Sequence, residues 1–322
     1  MIGLTHKILR AAAAALTAAL LASGALAQPE LKVIAPAGPG GGWDAAARSV
    51  QQVLTAKKLA RSVQVTNVTG AGGTVGLAQF VNGAQGDPNQ LMVNGITMVG
   101  AILTNKSPVS LDQVTPLARL TGDQLVIVVP ANSPHKTAAD LAAATKANAG
   151  RVTWAGGSAG GADHILAAMF ARAAGADVAK LNYVPFSGGG EALAAMLGGR
   201  VTAGISGYGE FEGQIKAGKL RALGLSGAQR LPGVDVPTLK EQGIDVELVN
   251  WRAIMAPPGI TAEQRRDLAA LIQAMVKSEE WAEVLKARGW DDYYLAGEPF
   301  AAFLKDEQAR LGEVLRSIGL VR

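Results

Sequence analysis

No cysteine occurs in the 322-residue sequence, which excludes a disulfide framework and a lipid anchor attached to a cysteine. Beyond the N-terminal segment the histidines are His135 and His164 alone, which gives little support for a transition-metal site. Only 17% of the residues are charged, and this argues against a disordered chain. No later apolar run approaches the roughly 18 residues that span a bilayer. We therefore expect a globular protein without a metal or a cofactor.

The N-terminal segment has the pattern of a secretory signal. Lys7 and Arg10 precede an Ala/Leu run, and Ala25-Leu26-Ala27 offers a small-residue cleavage site. We interpret residues 1–27 as a signal cleaved after Ala27 and expect export. An uncleaved membrane anchor is the alternative, which the short apolar core disfavours. Removal of the signal lowers the formal net charge from +4 to +2, because it takes away Lys7 and Arg10 and no acid. This small charge gives no reason to expect a nucleic-acid partner.

Short apolar runs alternate with alanine-rich helical patterns along the rest of the chain. This alternation predicts an α/β protein with parallel sheets and helices on both faces. Two segments, 120–129 and 221–229, have the character of crossings between two such units, so we predict a hinge of two crossing segments. Residues 28–125 with 226–322 would form lobe 1, and residues 126–225 an inserted lobe 2. The predicted strands are Leu31–Ala35, Val63–Asn67, Gln90–Asn94, Leu125–Pro130, Val152–Ala155, Leu181–Val184, Val201–Ile205, Arg221–Leu225 and Ile254–Ala256.

Glycine clusters recur where the predicted strands are followed by helices. Ligands bind at the carboxyl ends of parallel strands, and uncovered N–H groups at a helix N-terminus attract negative charge, so the clusters favour a shared anion site. The alternative for each cluster is that glycine only permits a tight turn. Nucleotide-loop fingerprints are missing, since no Gly-x-x-x-x-Gly-Lys-Ser/Thr occurs. The clusters are Gly38–Gly42, Gly70–Gly73, Gly156–Gly161 and Gly188–Gly190.

One of these clusters also matches a catalytic pattern. Gly156-Gly157-Ser158-Ala159-Gly160 has the form Gly-x-Ser-x-Gly of a nucleophile elbow, which requires a histidine base late in the chain. His135 precedes Ser158, and His164 lies only six residues after it. A serine hydrolase is therefore a weak alternative, and we expect His164 to be a hydrogen-bonding or packing residue near a helix terminus.

Several other side chains accompany the glycine loops. Asp44, Asp163 and Glu191 fall in or near the first turn of predicted helices, where the helix dipole stabilises a carboxylate with or without a ligand. No Arg or Lys falls inside the loops, so we expect backbone N–H groups, hydroxyls and water to hold an anion instead of a guanidinium. The indole of Trp43 fits the core and the ligand wall equally well. The hydroxyl groups near the loops belong to Thr74, Thr97, Ser158, Ser187 and Ser206, and Tyr208 lies beside a loop.

The motifs taken together resemble a known family. They comprise Pro36-x-x-Pro-Gly-Gly-Gly-Trp-Asp with Arg48, Gly86-Asp-Pro-x-x-Leu-Met-Val, Leu103-Thr-Asn-Lys, Pro116-Leu-Ala-Arg-Leu, the Gly-Ser-x-x-Gly loop ending at His164, Tyr183-Val-Pro-Phe-Ser-Gly-Gly-Gly-Glu, Leu197-Gly-Gly and Val236-Pro-Thr-Leu-x-Glu-x-Gly. This combination is similar to the substrate-binding proteins of tripartite tricarboxylate transporters, and the Gly-Gly-Gly-Trp-Asp version resembles the tricarboxylate-binding branch.

The resemblance implies a periplasmic type II binding-protein (Venus-flytrap) fold, whose two lobes close on a small carboxylate such as citrate or another di- or tricarboxylate. It implies delivery of that ligand to a large and a small membrane subunit, and we expect a monomer without catalytic activity. A periplasmic sensor domain for a signalling kinase remains an alternative beside the hydrolase. With the residue patterns, the resemblance places ligand contacts at Gly40, Gly41, Gly42, Trp43, Asp44, Gly72, Gly73, Thr74, Thr97, Met98, Ser158, Ala159, Gly160, Gly161, Asp163, Ser187, Gly188, Gly189, Ser206 and Tyr208.

Overall fold

The computed structural model describes residues 28–186 and 189–321, so the predicted signal lies outside the described residues. The strands are β1 (Glu30–Ala35), β2 (Ser62–Asn67), β3 (Gln90–Gly95), β4 (Thr115–Gly122), β5 (Leu125–Pro130), β6 (Thr153–Gly156), β7 (Asn182–Pro185), β8 (Ala203–Gly207), β9 (Leu220–Leu225), β10 (Arg252–Ala256) and β11 (Asp291–Ala296). The α-helices are α1 (Gly42–Ala56), α2 (Thr74–Gly83), α3 (Ile96–Thr104), α4 (Ala138–Ala147), α5 (Ala162–Ala173), α6 (Gly189–Leu197), α7 (Tyr208–Lys216), α8 (Ala262–Val276), α9 (Glu279–Arg288) and α10 (Gly297–Ser317).

The strands form two sheets. The first has the order β11-β4-β10-β3-β1-β2, and the second has the order β7-β6-β8-β5-β9. Each sheet is mixed: β1 is parallel to β2 and β3, whereas β10 runs antiparallel to β3 and β4, and β5 runs antiparallel to β8 and β9. The expectation of purely parallel sheets was wrong for these strands. No helix separates β4 from β5, so the chain passes directly from one sheet into the other instead of making a parallel crossover.

The two crossing segments run side by side. Asp123 and Asn250 exchange backbone hydrogen bonds, with N···O distances of 3.1 and 2.9 Å. Next to them, the Leu125 N–H donates to Ser226 Oγ and the Ser226 N–H donates to the Leu125 carbonyl. This pairing gives the hinge of two segments that the sequence predicts, but the second segment also includes Asn250, which lies beyond the predicted 221–229. The predicted lobe boundaries, at 125/126 and 225/226, lie at the start of β5 and the end of β9 and stay a prediction.

Periodicity explains most of the elements. Every predicted strand run overlaps a strand, although the runs before β6, β7 and β8 begin one or two residues too early. Helix α1 buries Ala46, Ala47, Val50, Val53 and Leu54, which recur at helical spacing. The sequence does not predict β11, an edge strand without a fully buried side chain, or β4, whose last residues it assigns to a crossing. Among residues 28–186 and 189–321, no helix has both the length and the apolar character needed to cross a bilayer.

Candidate functional site

A cleft of about 360 Å³ lies between the two sheets. Its walls are the glycine loops that follow β1 and β2 on one side and β6 and β8 on the other. The predicted ligand contacts that line it are Gly41, Gly42, Trp43, Gly72, Gly73, Thr97, Ser158, Ala159, Gly161, Asp163, Gly189 and Ser206. The structure does not bring Gly40, Asp44, Thr74, Met98, Gly160 or Tyr208 to the cleft wall, and Ser187 and Gly188 lie outside the described residues.

Four helix N-termini point their first residues at the cleft. The N-cap residues of α1, α2, α5 and α7 are Gly41, Gly73, Gly161 and Gly207; all four line the cleft, and none has a side-chain capping bond. The helices α4 and α8 instead carry complete capping boxes, at Thr137 with Asp140 and at Thr261 with Gln264. The first N–H groups of a helix have no carbonyl partner within it. The Ala162 N–H of α5 and the Tyr208 N–H of α7 already have acceptors in Thr97 and Gln124. The cleft nevertheless collects the positive ends of four helix dipoles, which attract an anion.

Asp44 holds the first glycine loop in place through hydrogen bonds on the side that faces away from the cleft. Its side chain is 3% exposed and accepts hydrogen bonds from the Gly40 N–H (2.9 Å), Arg48 Nε (3.0 Å) and Asn67 Nδ2 (2.9 Å). Burial raises the pKa of Asp44, but the bonds from Arg48, Gly40 and Asn67 outweigh it and hold the pKa below its usual value. The Gly40 amide and the Asp44 carboxylate are thus paired with each other, which is why neither faces the cleft.

The other predicted contacts that miss the cleft wall have local partners as well. Thr74 Oγ1 lies 2.9 Å from the Ala71 carbonyl and donates to it. Met98 is fully buried, and a Cβ at Gly73 would lie 2.9 Å from its Cε. Tyr208 is 6% exposed and packs in the core of the second sheet. These side chains support the loops that carry the N–H groups.

The loop after β6 is tied to α5 in a similar way. The Gly157 N–H donates to Asp163 Oδ2 at 2.6 Å, and the Gly160 N–H donates to His164 Nδ1 at 3.1 Å. The His164 ring stacks on Tyr183 at a centroid distance of 4.1 Å, and the Tyr183 hydroxyl donates to the Gly157 carbonyl. Burial lowers the pKa of His164 to about 4, so its ring is neutral at neutral pH and can accept the Gly160 bond. His164 is therefore the hydrogen-bonding and packing residue that the sequence predicts.

Ser158 lines the cleft without a histidine partner in the described part of the chain. His164 Nδ1 accepts from Gly160, and no hydrogen bond joins Ser158 to His164 or His135 among the described residues. An elbow serine needs a histidine within hydrogen-bond reach to become a nucleophile. The geometry thus gives no support for the hydrolase alternative.

The second wall contains carboxyl groups with raised pKa values. Burial raises the pKa of Asp163 to about 7, with a further rise from nearby Glu210, against the lowering effect of the Gly157 hydrogen bond. Burial also raises the pKa of Glu210, to which Ser206 Oγ donates at 3.0 Å. Near neutral pH this wall carries less negative charge than its acids imply. The sequence did not predict Glu210 as a residue of the site, because no long glycine run precedes it in the first turn of α7.

Trp43 belongs to both the core and the cleft wall. Its side chain is 7% exposed, packs within the main hydrophobic core and lines the cleft. A Cβ at Gly73, whose φ is +92°, would lie 2.6 Å from Trp43 Cζ3. Glycine at position 73 is thus required by its left-handed backbone and by the close approach of the indole. The wall around Trp43 is rigid because it is part of the packed interior.

Arg252 lines the cleft and forms a buried ion pair with Asp123, which sequence reasoning missed and which we call the floor ion pair. Arg252 Nη2 lies 2.8 Å from Asp123 Oδ2, and the two side chains are 2% and 3% exposed. Arg252 reaches the cleft from β10, where it lies opposite Gly95 in β3. The expectation of an anion site without a guanidinium considered only residues inside the glycine loops, and Arg252 lies outside them. The sequence feature that could have indicated Arg252 is an arginine at the start of an otherwise apolar strand.

The two walls touch each other. The Ala162 N–H at the start of α5 donates to Thr97 Oγ1 of α3 at 3.2 Å. Gly100 faces the carbonyl of Gly160 so closely that a Cβ would overlap it. The lobe-2 helix α5 is therefore capped from the opposite wall, and small residues allow the backbones to meet there.

Comparisons with known proteins agree with this geometry. Residues 46–320 match the family model described as tripartite tricarboxylate transporter family receptor. A UPF0065 protein of Agrobacterium vitis is 31% identical over 251 residues, which cover 76% of this chain and 70% of the relative. The structure of the periplasmic binding protein BugD has a TM-score of 0.81 at 24% identity and covers 91% of this chain and 98% of its own. MatC from Rhodopseudomonas palustris, with bound malate, has a TM-score of 0.78 at 24% identity and covers 89% of this chain and 99% of its own.

Proposed function

Since the chain belongs to the tripartite tricarboxylate transporter receptor family and has a type II periplasmic binding-protein fold, we propose that it captures a small organic carboxylate by closure of two lobes. One observation carries this proposal: four helices whose N-cap residues are glycines converge with their N-termini on one cleft, two from each sheet. An anion there receives N–H donors from both lobes, so binding favours the closed arrangement over the open one.

The size of the cleft supports a small ligand. A volume of about 360 Å³ lies at the lower end of the range of about 300–1,000 Å³ typical of small-molecule sites. Each hydrogen bond to an ionised group contributes about 1.5–3 kcal/mol, and micromolar affinity needs about 8 kcal/mol net. Several N–H donors therefore suffice. A dicarboxylate presents two ionised groups to these donors. The malate bound to MatC is a ligand of this class.

The same reasoning extends to location and partners. We infer that residues 1–27 are a secretory signal removed after Ala27, that residues 28–125 with 226–322 and residues 126–225 are the two lobes, and that the mature protein works in the periplasm as a monomer. Its closed form would present the ligand to the large and small membrane subunits of a tripartite transporter. An open form would release the ligand, because closure supplies half of the N–H donors.

A ligand screen on residues 28–322 tests the proposal. The panel is malate, adipate, citrate and benzoate, each measured by thermal unfolding and by titration calorimetry, with native mass spectrometry for a co-purified ligand. At 100 times Kd a ligand stabilises the folded state by about 2.7 kcal/mol, and each kcal/mol shifts the Tm by roughly 2–4 °C for 150–250 residues, so a shift of several degrees is expected. The absence of any shift across the panel, with no co-purified acid, would contradict the carboxylate assignment. Turnover of an activated ester that is lost in Ser158→Ala would instead support a hydrolase.

A further inference from the structure

The floor ion pair lies between the first residues of two helices, one from each sheet. A Cβ at Gly42, the first residue of α1, would lie 2.5 Å from Arg252 Nη2. A Cβ at Gly207, the N-cap of α7, would overlap Asp123 Oδ2. Glycine occupies both positions because the guanidinium and the carboxylate fill the space that a side chain would need. The charges are thus held at the base of both walls.

The two members of the pair have different electrostatic surroundings. The Asp123 carboxylate lies at the N-terminus of α7, where the helix dipole stabilises a negative charge. The Arg252 guanidinium lies at the N-terminus of α1, where the same effect is unfavourable for a positive charge. Arg288 is a second guanidinium close enough to Arg252 that their charges interact, and both lie near the Trp290 ring, at 4.9 and 5.2 Å. The two guanidinium groups thus lie close to each other, and Asp123 forms a salt bridge with Arg252.

One donor of Arg252 has no partner. Nη2 binds Asp123, whereas the buried Nη1 makes no hydrogen bond to the described residues. A buried donor on a charged group that stays unsatisfied costs about 1–3 kcal/mol or more. Glu210 and Asp163 face the same cleft from the second wall, and their charges interact with Arg252, but neither forms a salt bridge with it in the described part of the chain. Arg252 is one of the residues that line the cleft, so a ligand oxygen that enters beside it can supply the missing acceptor.

We propose that Arg252 is a ligand contact that determines specificity: its guanidinium binds one carboxylate of the ligand through Nη1, while Asp123 holds its other arm through Nη2. This inference rests on the proposed function, because it assumes that the cleft takes a carboxylate. It adds a fixed positive charge to a cleft whose other polar groups are N–H groups, hydroxyls and carboxyl groups. A guanidinium at the floor selects an ionised carboxylate over an amide or an ester of the same shape. Asp123 is a positioning residue, and its location in the crossing segment places the charge at the hinge.

The experiment compares two variants that share Asp123→Asn and differ only in whether position 252 carries a charge. Removing Arg252 alone would leave Asp123 buried and unpaired, which is strongly destabilising. Asp123→Asn is therefore compared with the double variant Asp123→Asn plus Arg252→Gln, which differs from it only at position 252. Arg288→Gln is the matched control, since Arg288 contacts the same Trp290 but does not line the cleft. The probe is whichever of malate, adipate, citrate and benzoate binds the wild type most tightly.

We expect the double variant to bind the probe at least tenfold more weakly than Asp123→Asn, and Arg288→Gln to bind it within twofold of the wild type. The preference for the acid over its amide should fall by the same factor in the double variant. A loss below fivefold in a variant with a native circular-dichroism spectrum overturns the inference while leaving the proposed function intact. If no acid of the panel binds the wild type, both are overturned. If the double variant does not fold, Arg252→Lys takes its place, because lysine keeps the positive charge but lacks the planar guanidinium group. Its affinity for the probe is expected to fall at least fivefold, and a smaller loss of affinity overturns the inference.

Discussion

Replacing Asp163 by asparagine should change how the stability of the unliganded protein depends on pH. Burial raises the pKa of Asp163 to about 7 from a usual value of 3.8, so the folded protein keeps a proton that the unfolded chain has lost between these values. Stability therefore falls as pH rises from about 4 to 7. Since one pKa unit corresponds to 1.36 kcal/mol, the full penalty at pH 8 is at most about 4 kcal/mol. Contact of the carboxyl group with water in the cleft reduces it.

His164 acts in the opposite direction over an overlapping range. Burial lowers its pKa to about 4 from 6.5, so the unfolded chain takes up a proton that the folded protein does not. Its contribution to stability is present above pH 6.5 and is lost as pH falls towards 4, by at most about 3 kcal/mol. In the wild type the two effects largely cancel between pH 4 and 6.5. Asp163→Asn removes only the first, because asparagine can still accept from the Gly157 N–H.

Urea unfolding of residues 28–322 at pH 4.5, 5.5, 6.5 and 8 measures this difference. The free energy of unfolding of Asp163→Asn, relative to the wild type, should increase with pH by about 2–4 kcal/mol across the series. The variant alone should become more stable from pH 4.5 to 6.5, as His164 predicts. If the difference between the two proteins stays constant within 1 kcal/mol, Asp163 does not have a raised pKa in the folded state, and the argument for a nearly neutral second wall fails.

Three further predictions concern the walls. Gly41→Val should abolish carboxylate binding and leave the protein folded. The backbone angles at this position, φ −77° and ψ 168°, suit a β-branched residue, whose side chain would cover the N-terminus of α1. Normal affinity in calorimetry would show that this glycine serves only the turn. Gly73→Ala should lower stability by about 1–3 kcal/mol in urea unfolding, since φ is +92° and the new Cβ would meet Trp43; Gly83→Ala, where a Cβ meets nothing, is the control and should not share the loss. Thr97→Val should weaken ligand binding about fivefold in calorimetry. The substitution removes the acceptor of the Ala162 N–H across the cleft, which costs the closed form about 1 kcal/mol. Unchanged affinity would mean that this hydrogen bond does not hold the walls together.

Local pattern was sufficient for much of the fold. Apolar runs identified the strands that are buried, and the capping boxes at Ser110, Thr137 and Thr261 depend only on residues three positions apart in the chain. The strand β11 escaped because an edge strand does not need apolar residues on either face. The sequence did not predict the strand directions either. These depend on which sheet each strand joins, and β4 and β5, although adjacent in the chain, join different sheets.

The candidate site divides in the same way. The glycine clusters marked the loops at the cleft, because glycine is needed wherever a backbone must approach another group closely or adopt a positive φ, and both demands leave a trace in the sequence. The same clusters also led to the prediction of residues that support the wall without facing the cleft. Asp44 and Gly40 are examples, because the Gly40 N–H donates to the Asp44 carboxylate. Sequence spacing does not distinguish an N–H group that faces a ligand from one that a nearby carboxylate has already taken.

The sequence by itself determined the helices and most strands, the glycine loops and the family resemblance, since these depend on residues close together in the chain. Only the tertiary structure decided what lies beneath the loops. Arg252 and Asp123 are 129 positions apart, and they meet because β10 enters the first sheet beside β3 while the crossing segment passes Asn250. A charge can be buried at the floor of the cleft only where such long-range packing supplies its partner, so no local pattern announces it.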